Sequence, residues 1–357
     1  VGHRQKTFAD TGKHSGNQPR TFLPAVGKGK NTRLQTQDRL KSRLPVCAVK
    51  RIRANFYFKS IVITSSVWYN AIMASVRVKA YAKLNLTLSV TGVADGYHML
   101  DSLVASVDLY DLIVLNRRKD KLVSVTMHGR GSESIPYESN NAVRAAESFI
   151  SAFGTDGADI TVYKNIPMGL GLGGSSADSA GVLNGLSKLY NTGGLTELEQ
   201  LAALNGSDTK YMLSGGYARM RGRGDEVEYL ENNMKLDFLL LAPASGVSTA
   251  ECFKLFDSAG TFGGSSDGAV KALSEGDKYA LAKNMGNSLV IPAKLISEDV
   301  RTAFNELSAF DPLAVNMTGS GSGVYALFEN EQYCDYAKSR YRGKFRAYKL
   351  KTVIPKI

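Results

Sequence analysis

Residues 165–186, NIPMGLGLGGSSADSAGVLNGL, join an apolar, strand-like segment to a helix-like run through a turn rich in glycine and serine. The glycines allow the backbone to approach a ligand closely and to direct its N–H groups toward it. The N-terminus of the following helix adds unpaired N–H donors and the positive end of the helix dipole. The stretch therefore predicts a binding site for an anion such as a phosphate group.

The spacing in this loop differs from two common nucleotide-binding motifs. No GK[ST] follows the glycines, as it does in a Walker loop, and the glycines lack the GxGxxG spacing of dinucleotide-binding folds. Ser175 and Ser176 add hydroxyl groups that suit phosphate oxygens or a magnesium ion. The alternative interpretation is a tight strand-to-helix turn without a ligand.

Length and composition indicate a globular chain. Its 357 residues are 43% hydrophobic, which is enough for one large or two ordinary cores. Cys47, Cys252 and Cys334 are scattered, and this argues against a disulfide framework or a zinc site and favours a reducing compartment. The longest apolar stretch, residues 61–76, is too short and too polar to cross a bilayer. We expect a cytoplasmic protein with no membrane partner.

Charge divides the chain near Met73. Residues 1–72 carry 14 lysines and arginines and two aspartates, a net charge of +12, whereas the remainder carries −1. A polar, acid-poor segment without periodicity is typical of disorder. We expect residues 1–72 to be a leader that is not native to the domain, because an ordered pattern starts at Met73. The alternatives are a transit peptide, which would place the protein in a plastid, and an arm that binds nucleic acid.

The periodicity beyond this point predicts an α+β fold in two units, residues 73–234 and 235–357. Alternation from residue 76 to 90 predicts one half-buried strand that ends at Gly92, followed by a turn. Further strands of the first unit are predicted at 106–118, 121–129 and 158–167, helices at 141–153, 179–190 and 195–204, and a hairpin at 215–230. The second unit is predicted to have strands at 236–243 and 345–354, two strands around a glycine turn at 314–328, and helices at 268–274, 278–285, 299–307 and 331–341.

Polar residues at three further places suggest chemistry. Lys83 and Asn85 are two residues apart on the first strand, so their side chains share a face, although a solvent-facing lysine is the simpler interpretation. Asp208 follows a glycine and a serine, where it would serve either as a reactive carboxylate or as a helix cap. Residues 316–328, NMTGSGSGVYALF, form a second glycine loop or a plain hairpin turn.

In the order of these segments the chain resembles the GHMP kinase superfamily, over residues 75–357. The phosphate loop of that family has the form P-x-x-x-G-L-G-x-S-S-A, and residues 317–328 match its late glycine motif. The resemblance is greatest to members that act on cytidylyl methylerythritol, because AKLNL at 82–86 and DGYH at 95–98 match theirs. The residues that match the phosphate loop are Pro167, Gly171, Leu172, Gly173, Ser175, Ser176 and Ala177.

The resemblance implies two α+β lobes, the first similar to a ribosomal-protein domain and the second ferredoxin-like, with the active site between them. It implies transfer of the γ-phosphoryl group of ATP, with Mg²⁺, to the 2-hydroxyl of the substrate. The matched loop residues, with Gly169 and Gly174, would hold the phosphates, and Ser176 would also contact the magnesium ion. Asp208 would accept the hydroxyl proton, and Lys83 would offset the negative charge that develops.

The resemblance also implies a cytosine pocket. Tyr97 and His98 would bind cytosine by stacking and by hydrogen bonding. Phe253 would cover the opposite face of the base, and Asn85 would contact the substrate. The expected partner is this small molecule, with no nucleic acid for the core, and the expected state is a monomer or a homodimer.

The sequence departs from the family pattern at two points. The phosphate loop has one glycine fewer before its serines than many members have, and the aspartate motif G-A-D-x-P reads GSDTK at 206–210. Two other functions share most of these features. A homoserine or mevalonate kinase would share the phosphate loop without the cytosine elements, and a non-catalytic binding protein of the same fold would lose the lysine and aspartate pair.

Overall fold

The computed structural model of the protein describes residues 74–132, 135–259 and 261–355. The expected leader, residues 1–72, lies outside the described residues. Within them, an eight-stranded and a four-stranded sheet combine with helices in one α+β arrangement, which confirms the predicted fold class. Across the same residues, no helix combines the length and the apolar character that a membrane span requires.

The first sheet is organised around one long strand, β3, which pairs along its length with β2, β6, β1 and β5 in turn. β4 extends the sheet in parallel with β5, and β7 extends it beyond β6. The strands contributed by the first half of the chain are β1 (Ser75–Asn85), β2 (Thr87–Ala94), β3 (Tyr97–Arg117), β4 (Val123–His128), β5 (Ala158–Tyr163), β6 (Tyr217–Gly222) and β7 (Glu226–Leu230).

The single strand predicted from residue 76 to 90 is two strands, so that prediction was wrong. The register of β1 against β3 shifts between Tyr81 and Lys83, and the strand breaks at Leu86, whose N–H donates to the carbonyl of Leu103. Past the shift, residues 83–88 are all buried rather than alternately exposed. Their burial follows from their position, because the second sheet covers the side that would otherwise face solvent.

The helices of the first half pack on one another and on β1 and β3. They are α1 (Asn141–Phe153), α2 (Gly174–Tyr190), α3 (Leu195–Asn205) and α4 (Thr209–Ser214). α1 has the predicted bounds, but α2 starts at Gly174 instead of residue 179. The loop glycines explain the earlier start, because Gly173 caps the helix at a φ of 73°, where a side chain would be strained.

The second sheet is antiparallel, in the order β10-β11-β8-β12. Its central strand β8 is a nearly continuous apolar run because both of its faces are buried: Phe238 and Leu240 join the core of the first sheet, and Leu239 and Leu241 pack against helices. The strands are β8 (Asp237–Ala242), β10 (Ala314–Met317), β11 (Val324–Phe328) and β12 (Arg346–Lys351).

The helices of the second half surround this sheet and the junction with the first. Those at 267–274, 278–284, 298–308 and 331–340 agree with the prediction to within one or two residues, whereas α5 and α8 were not predicted. The helices are α5 (Thr249–Ala259), α6 (Asp267–Ser274), α7 (Lys278–Asn284), α8 (Val290–Ile296), α9 (Glu298–Ser308) and α10 (Glu331–Arg340).

Short segments of the second half complete the first. The two-residue strand β9 (Gly286–Asn287) pairs in parallel with the start of β2, and Thr352, just after β12, bridges to Val107 in β3. One hydrophobic core runs through both sheets. The junction that results is where the polar residues singled out from the sequence come together.

Candidate active site

A tight hairpin turn places two of the predicted substrate residues. Asp95 and Gly96 have φ angles of 51° and 77°, the left-handed conformations that a two-residue turn between β2 and β3 requires. Tyr97 and His98 therefore begin β3 directly after the turn, with Tyr97 paired to Ala94. The DG pair in the sequence thus has a structural role, because it fixes where these two rings start.

The residues predicted to bind substrate surround one cavity of about 380 Å³ at the junction of the two sheets. Its volume suits a small-molecule ligand. Asp208 reaches the same cavity from the N-terminus of α4. The polar and aromatic residues that line it are Asn85, Tyr97, His98, Ser102, Ser207, Asp208, Arg223 and Phe253.

Each aromatic ring of the cavity has a close partner. The His98 ring stacks on Phe253 with 4.4 Å between centroids, and its Nε2 lies 2.7 Å from Oδ1 of Asp257. Tyr97 is 52% exposed, and the guanidinium of Arg223 lies 3.7 Å from the centroid of its ring. The Arg223 guanidinium therefore covers one face of the Tyr97 ring.

Lys83 and Asp208 approach each other at the inner end of this cavity. The buried ammonium of Lys83 lies 3.5 Å from Oδ2 of Asp208. Asp208 occupies the N-cap position of α4, yet within the described chain its side chain makes no capping hydrogen bond. Its carboxylate is 30% exposed, so one side faces Lys83 and the rest remains open to a ligand.

The side-chain amide of Asn85 holds Lys83 in place. Its Oδ1 accepts hydrogen bonds from the ammonium of Lys83 at 2.5 Å and from the backbone N–H of Gly319 at 2.9 Å. Its Nδ2 donates to Oγ of Ser102 at 2.8 Å. Because these groups are buried, each lost partner would leave a polar atom unsatisfied, so the network fixes the position of the ammonium.

The phosphate loop rests on the second glycine loop. Oγ1 of Thr318 donates to the carbonyl of Gly171 at 3.0 Å, and a Cβ at Gly171 would overlap the carbonyl of Thr318. Gly171 also has a φ of 74°, so a side chain is excluded both by space and by backbone conformation. The NMTGSGSGVYALF segment is therefore more than a hairpin turn, because it supports the phosphate loop.

A second cavity, of about 330 Å³, lies along the phosphate loop. Two predicted loop residues lie outside its lining: Ala177 is buried in the core, and the hydroxyl of Ser176 points toward Gly206, close to Asp208 in sequence. The predicted residues that line the cavity are Pro167, Gly169, Gly171, Leu172, Gly173, Gly174 and Ser175.

Lys83 also contacts this second cavity's wall. A Cβ at Gly173 would lie 3.3 Å from Cγ of Lys83, and the backbone N–H of Lys83 donates to the carbonyl of Leu172 at 3.0 Å. Since its ammonium also approaches Asp208, Lys83 stands between the phosphate loop and the cavity that contains the aromatic rings. Lys83 thus packs on the wall of the phosphate-loop cavity and contacts Asp208, which lines the aromatic cavity.

A buried lysine with two carboxylates lies under the start of the phosphate loop. Nζ of Lys164 binds the carboxylates of Asp111 and Asp178, and Asp111 accepts the N–H of Ile166 at 2.8 Å. Burial, reinforced by Asp111 and opposed by Lys164, raises the pKa of Asp178 to about 7. Oδ1 of Asp178 is buried and has no hydrogen-bond partner among the described residues.

An ion pair joins β3 to β6, next to the residues that line the aromatic cavity. Arg219 on β6 makes a two-pronged contact with Asp101 on β3, at 2.9 and 2.7 Å, and Asp101 also accepts the N–H of Ser266. Burial alone would raise the pKa of Asp101, but the hydrogen bonds from Arg219 and Ser266 outweigh it and lower that pKa. This carboxylate therefore stays charged and keeps β3 aligned next to β6.

Sequence reasoning missed several residues of the site, and three of them show why. Arg223 lies between two glycines of the β6–β7 turn, so the GRG tripeptide was its only sequence signal. Thr318 begins the second glycine loop. It contacts Gly171, which lies far away in the sequence, and no local pattern predicts such a contact. Asp178 lies within α2, but the predicted helix began at residue 179, so Asp178 was assigned to the preceding loop.

Comparison with known proteins agrees with this geometry. The family model of the GHMP kinases N terminal domain matches residues 140–218, and that of the GHMP kinases C terminal matches residues 269–346. A 4-diphosphocytidyl-2-C-methyl-D-erythritol kinase of Clostridium beijerinckii is 32% identical over 278 residues, which are 75% of this chain and 98% of that protein. The kinase of the same name from Caldanaerobacter subterraneus is 37% identical, over 71% of this chain and 88% of that protein.

Solved structures give the same result. A crystal structure of 4-(cytidine 5'-diphospho)-2C-methyl-D-erythritol kinase superposes with a TM-score of 0.66 at 29% identity, over 77% of this chain and 98% of that one. A homoserine kinase from Cytophaga hutchinsonii, with a TM-score of 0.61 at 17% identity over 84% and 98% of the two chains, shares the fold. The resemblance inferred from the sequence is thus confirmed, and the chain belongs to the GHMP kinase family, alongside the relatives named 4-diphosphocytidyl-2-C-methyl-D-erythritol kinase.

Proposed function

We propose that this chain is an ATP-dependent kinase that phosphorylates the 2-hydroxyl of 4-diphosphocytidyl-2-C-methyl-D-erythritol in the methylerythritol phosphate route to isoprenoids. The observation that carries the proposal is the contact between Lys83, which packs on the wall of the phosphate-loop cavity, and Asp208, which lines the cavity with the aromatic rings. The relatives that share most of the chain bear the name of this activity.

ATP would place its phosphates along the loop from Gly169 to Gly174, at the N-terminus of α2. Backbone N–H groups and the helix dipole stabilise the negative charge there. Ser175 is exposed at the mouth of this cavity and would add a hydroxyl donor to a phosphate oxygen. The support from Thr318 keeps the loop in the shape that presents these groups.

Magnesium accompanies ATP in this proposal. The described residues contain no group of three His, Cys, Asp or Glu side chains suited to a metal ion. Mg²⁺ that binds together with phosphates usually takes only one or two protein ligands and keeps several waters. The hydroxyl of Ser176 and the unpartnered Oδ1 of Asp178 are hard oxygen donors of the suitable kind. When bound, the ion would neutralise charge on the phosphate oxygens.

Transfer itself needs position and charge compensation more than covalent chemistry, because the transition state is loose. Asp208 is open to the cavity and would accept the proton of the substrate hydroxyl as that oxygen attacks the γ-phosphorus. The ammonium of Lys83, held by Asn85, would stabilise the negative charge on the transferred group. The buried network around Asn85 fixes these groups before the substrate arrives.

The substrate cavity contains groups for both ends of a cytidine diphosphate. Tyr97 provides a ring for stacking, and His98 provides a ring nitrogen for the edge of the base. Among the described lining residues, Arg223 is the only lysine or arginine, and its guanidinium makes no ion pair with the described chain. An arginine suits a diphosphate. Arg223 would therefore leave the Tyr97 ring for the diphosphate, and so free the ring for the base.

A substrate panel tests the proposal. ADP release is measured with 4-diphosphocytidyl-2-C-methyl-D-erythritol, its uridylyl analogue, homoserine and mevalonate. We expect kcat/KM for the cytidylyl compound to exceed that for every other acceptor by at least about 100-fold, as a site built to hydrogen-bond one base edge discriminates. If homoserine or mevalonate is phosphorylated as fast as the cytidylyl compound, the proposed substrate is wrong and only the membership of the GHMP kinase family remains.

A further inference from the structure

A third cavity lies on the far side of the elements that carry the catalytic groups. Its volume is about 500 Å³, larger than that of the substrate cavity. It runs along the outer edge of β1, whose residues 75–81 pair with β3 on one side and with no described strand on the other. The wall opposite β1 is formed by α2, by α4 and by residues 353–355.

The lining of this cavity is basic. Arg77, Lys79 and Lys188 contribute to it, and none of the lining residues identified in the described ranges is acidic. The three cations make no ion pair with another described residue, and the ammonium of Lys79 lies 4.5 Å from the ring centroid of Tyr110. Arg77 and Lys79 alternate along β1, so their side chains leave the strand on the same face. Such a cluster favours an anion with more than one charge.

Apolar side chains share the same cavity. Val78 is half-buried in the wall, and Ile354, at the C-terminal end of the described chain, is 50% exposed. A large exposed aliphatic side chain in the same cavity as exposed cations matches a ligand that is charged at one end and apolar at the other. Arginine and lysine bind phosphate groups well, and aliphatic side chains bind short hydrocarbon chains.

The cavity is connected to the catalytic centre by Met212. This residue lines the cavity from α4, and a Cβ at Gly173 would overlap its Cε, so Met212 packs on the residue that begins the phosphate helix. Asn184 ties the same region together, because its Nδ2 donates to the carbonyl of Leu213 at 2.8 Å. α4 begins after Asp208, so the element that lines the cavity at one end carries the proposed base at the other.

We propose that this cavity binds a phosphorylated small molecule with a short apolar part, and that its occupancy changes the affinity of the phosphate loop for ATP through Met212. The ligand's phosphate groups lie against Arg77 and Lys79, which leave β1 on one face, and its apolar part lies against Ile354. The site is separate from both catalytic cavities, so ligand and nucleotide bind together.

Calorimetric titration of the full chain with n-pentyl diphosphate tests the binding site, in 150 mM salt and with a saturating non-hydrolysable ATP analogue that occupies the phosphate loop. We expect one bound molecule per chain. Arg77→Glu with Lys79→Glu should weaken binding at least about tenfold, because both changes place negative charge next to the phosphate groups. A tenfold change corresponds to about 1.4 kcal/mol of binding free energy. The control, Lys119→Glu with Lys283→Glu, changes the same charge at two exposed positions elsewhere and should leave binding within about twofold of the unaltered chain.

Inorganic pyrophosphate tests the apolar part. It should bind at least about tenfold more weakly than the pentyl compound, because it has no hydrocarbon chain for the apolar wall to bury. If the charge-reversed variant is not folded by circular dichroism, Arg77→Gln with Lys79→Gln replaces it. No binding while the analogue is bound, or equal binding in the two charge-changed variants, overturns the site. A change of oligomeric state without a change in binding would mean that the cations only protect the strand edge.

The effect on the active site has its own measurement. Pentyl diphosphate should change the KM for ATP at least about threefold in the unaltered chain and leave it unchanged in the Arg77 and Lys79 variant. Met212→Ala should still bind the diphosphate in the titration, yet lose the change in KM. If the change in KM persists in the Arg77 and Lys79 variant, the compound competes at the phosphate loop, and the proposed coupling is wrong.

Discussion

Nζ of Lys83 lies 3.5 Å from Oδ2 of Asp208, and this contact joins the first strand of the fold to the N-terminus of a helix more than a hundred residues later in the chain. The ammonium is buried, whereas the carboxylate is partly open. The pair is thus arranged so that one member is fixed by the protein and the other is available to a substrate. Several variants separate these two roles.

Asp208→Asn and Lys83→Ala should each lower kcat by at least about 100-fold, which is the range of a positioned proton acceptor or charge-stabilising group. The KM for ATP should change little in Asp208→Asn, because this carboxylate lies outside the described lining of the phosphate-loop cavity. Steady-state kinetics with both substrates provides the check. Lys210→Ala is the control, since the half-buried Lys210 pairs with Glu199 instead of Asp208 and this variant should retain nearly full kcat. A kcat of Asp208→Asn within threefold of the unaltered enzyme would contradict its role as proton acceptor.

Tyr97→Ala should raise the KM for the cytidylyl substrate about tenfold or more, since stacking of a base on an aromatic ring contributes about 1–3 kcal/mol. The effect on kcat should be smaller, because the base lies away from the transferred group and its binding is uniform along the reaction. His98→Ala should in addition narrow the preference over the uridylyl analogue. The comparison is KM for both nucleotides in the three enzymes, and an unchanged preference in His98→Ala would remove the histidine from base recognition.

Arg223→Met should weaken binding of CDP by about tenfold or more and leave binding of cytidine unchanged or slightly stronger. The reason is that the guanidinium is proposed to contact the diphosphate, while its removal uncovers the Tyr97 ring. Calorimetric titrations with the two ligands at low and high salt measure this directly. The difference between CDP and cytidine should shrink as salt rises in the unaltered enzyme and be absent in the variant. Equal loss of CDP and cytidine affinity would indicate that Arg223 supports the pocket only structurally.

Thr318→Val should raise the KM for ATP and lower the melting temperature, because it removes both the donor to the carbonyl of Gly171 and the acceptor of the backbone N–H of Asn85. The expected loss of stability is about 1–3 kcal/mol. Thr91→Val provides a matched control, since its hydroxyl also donates to a backbone carbonyl but in an exposed position. Denaturant unfolding and ATP kinetics are measured on both variants. Similar changes in stability and in the KM for ATP in Thr318→Val and Thr91→Val would mean that the buried hydroxyl of Thr318 contributes no more than an exposed one.

The raised pKa of Asp178 predicts that the stability of the fold depends on pH. Its pKa of about 7 in the folded protein lies above the ordinary value of about 3.9 in an unfolded chain, so the folded state holds a proton that the unfolded state has released between pH 4 and 7. Stability from this group is therefore present below pH 4 and is lost as the pH rises to 7. The slope is at most about 1.4 kcal/mol per pH unit.

The variant Asp178→Asn cannot ionise at this position. In urea unfolding at a series of pH values, its free energy of unfolding relative to that of the unaltered protein should therefore increase from pH 4 to 7. Asp156→Asn, on the surface, should show no such trend. A constant difference between Asp178→Asn and the unaltered protein across this range would mean that Asp178 does not titrate there.

The sequence was informative where signals are local. The 3.6-residue period located α1 with its correct bounds, and the turn predicted after Gly92 is present, although it is limited to Asp95 and Gly96. It failed where long-range packing decides. The alternation of β1 and β2 hid a break at Leu86, because the second sheet buries residues that would otherwise face solvent. α4 is a single short helix without an apolar period of its own, so no local pattern predicts it.

The same distinction holds for the site. Matching motifs predicted Lys83, Asp208 and the aromatic residues, and the structure places all of them near one cavity. The roles of these residues remain predictions. Arg223 has no pattern beyond two flanking glycines, and Thr318 functions through a partner more than a hundred residues away. Such residues are identified by the contacts that they make in the structure, and a single sequence does not show those contacts.

The contact between Gly171 and Thr318 also limits how this chain can recombine with its relatives. A chimera that takes its first half from one kinase and its second half from another would bring a phosphate loop against a foreign supporting loop. Because the backbones at these two positions touch without space for a Cβ, even a small shift would disturb the nucleotide site. The two glycine loops are therefore expected to be inherited together, as one unit divided between distant parts of the gene.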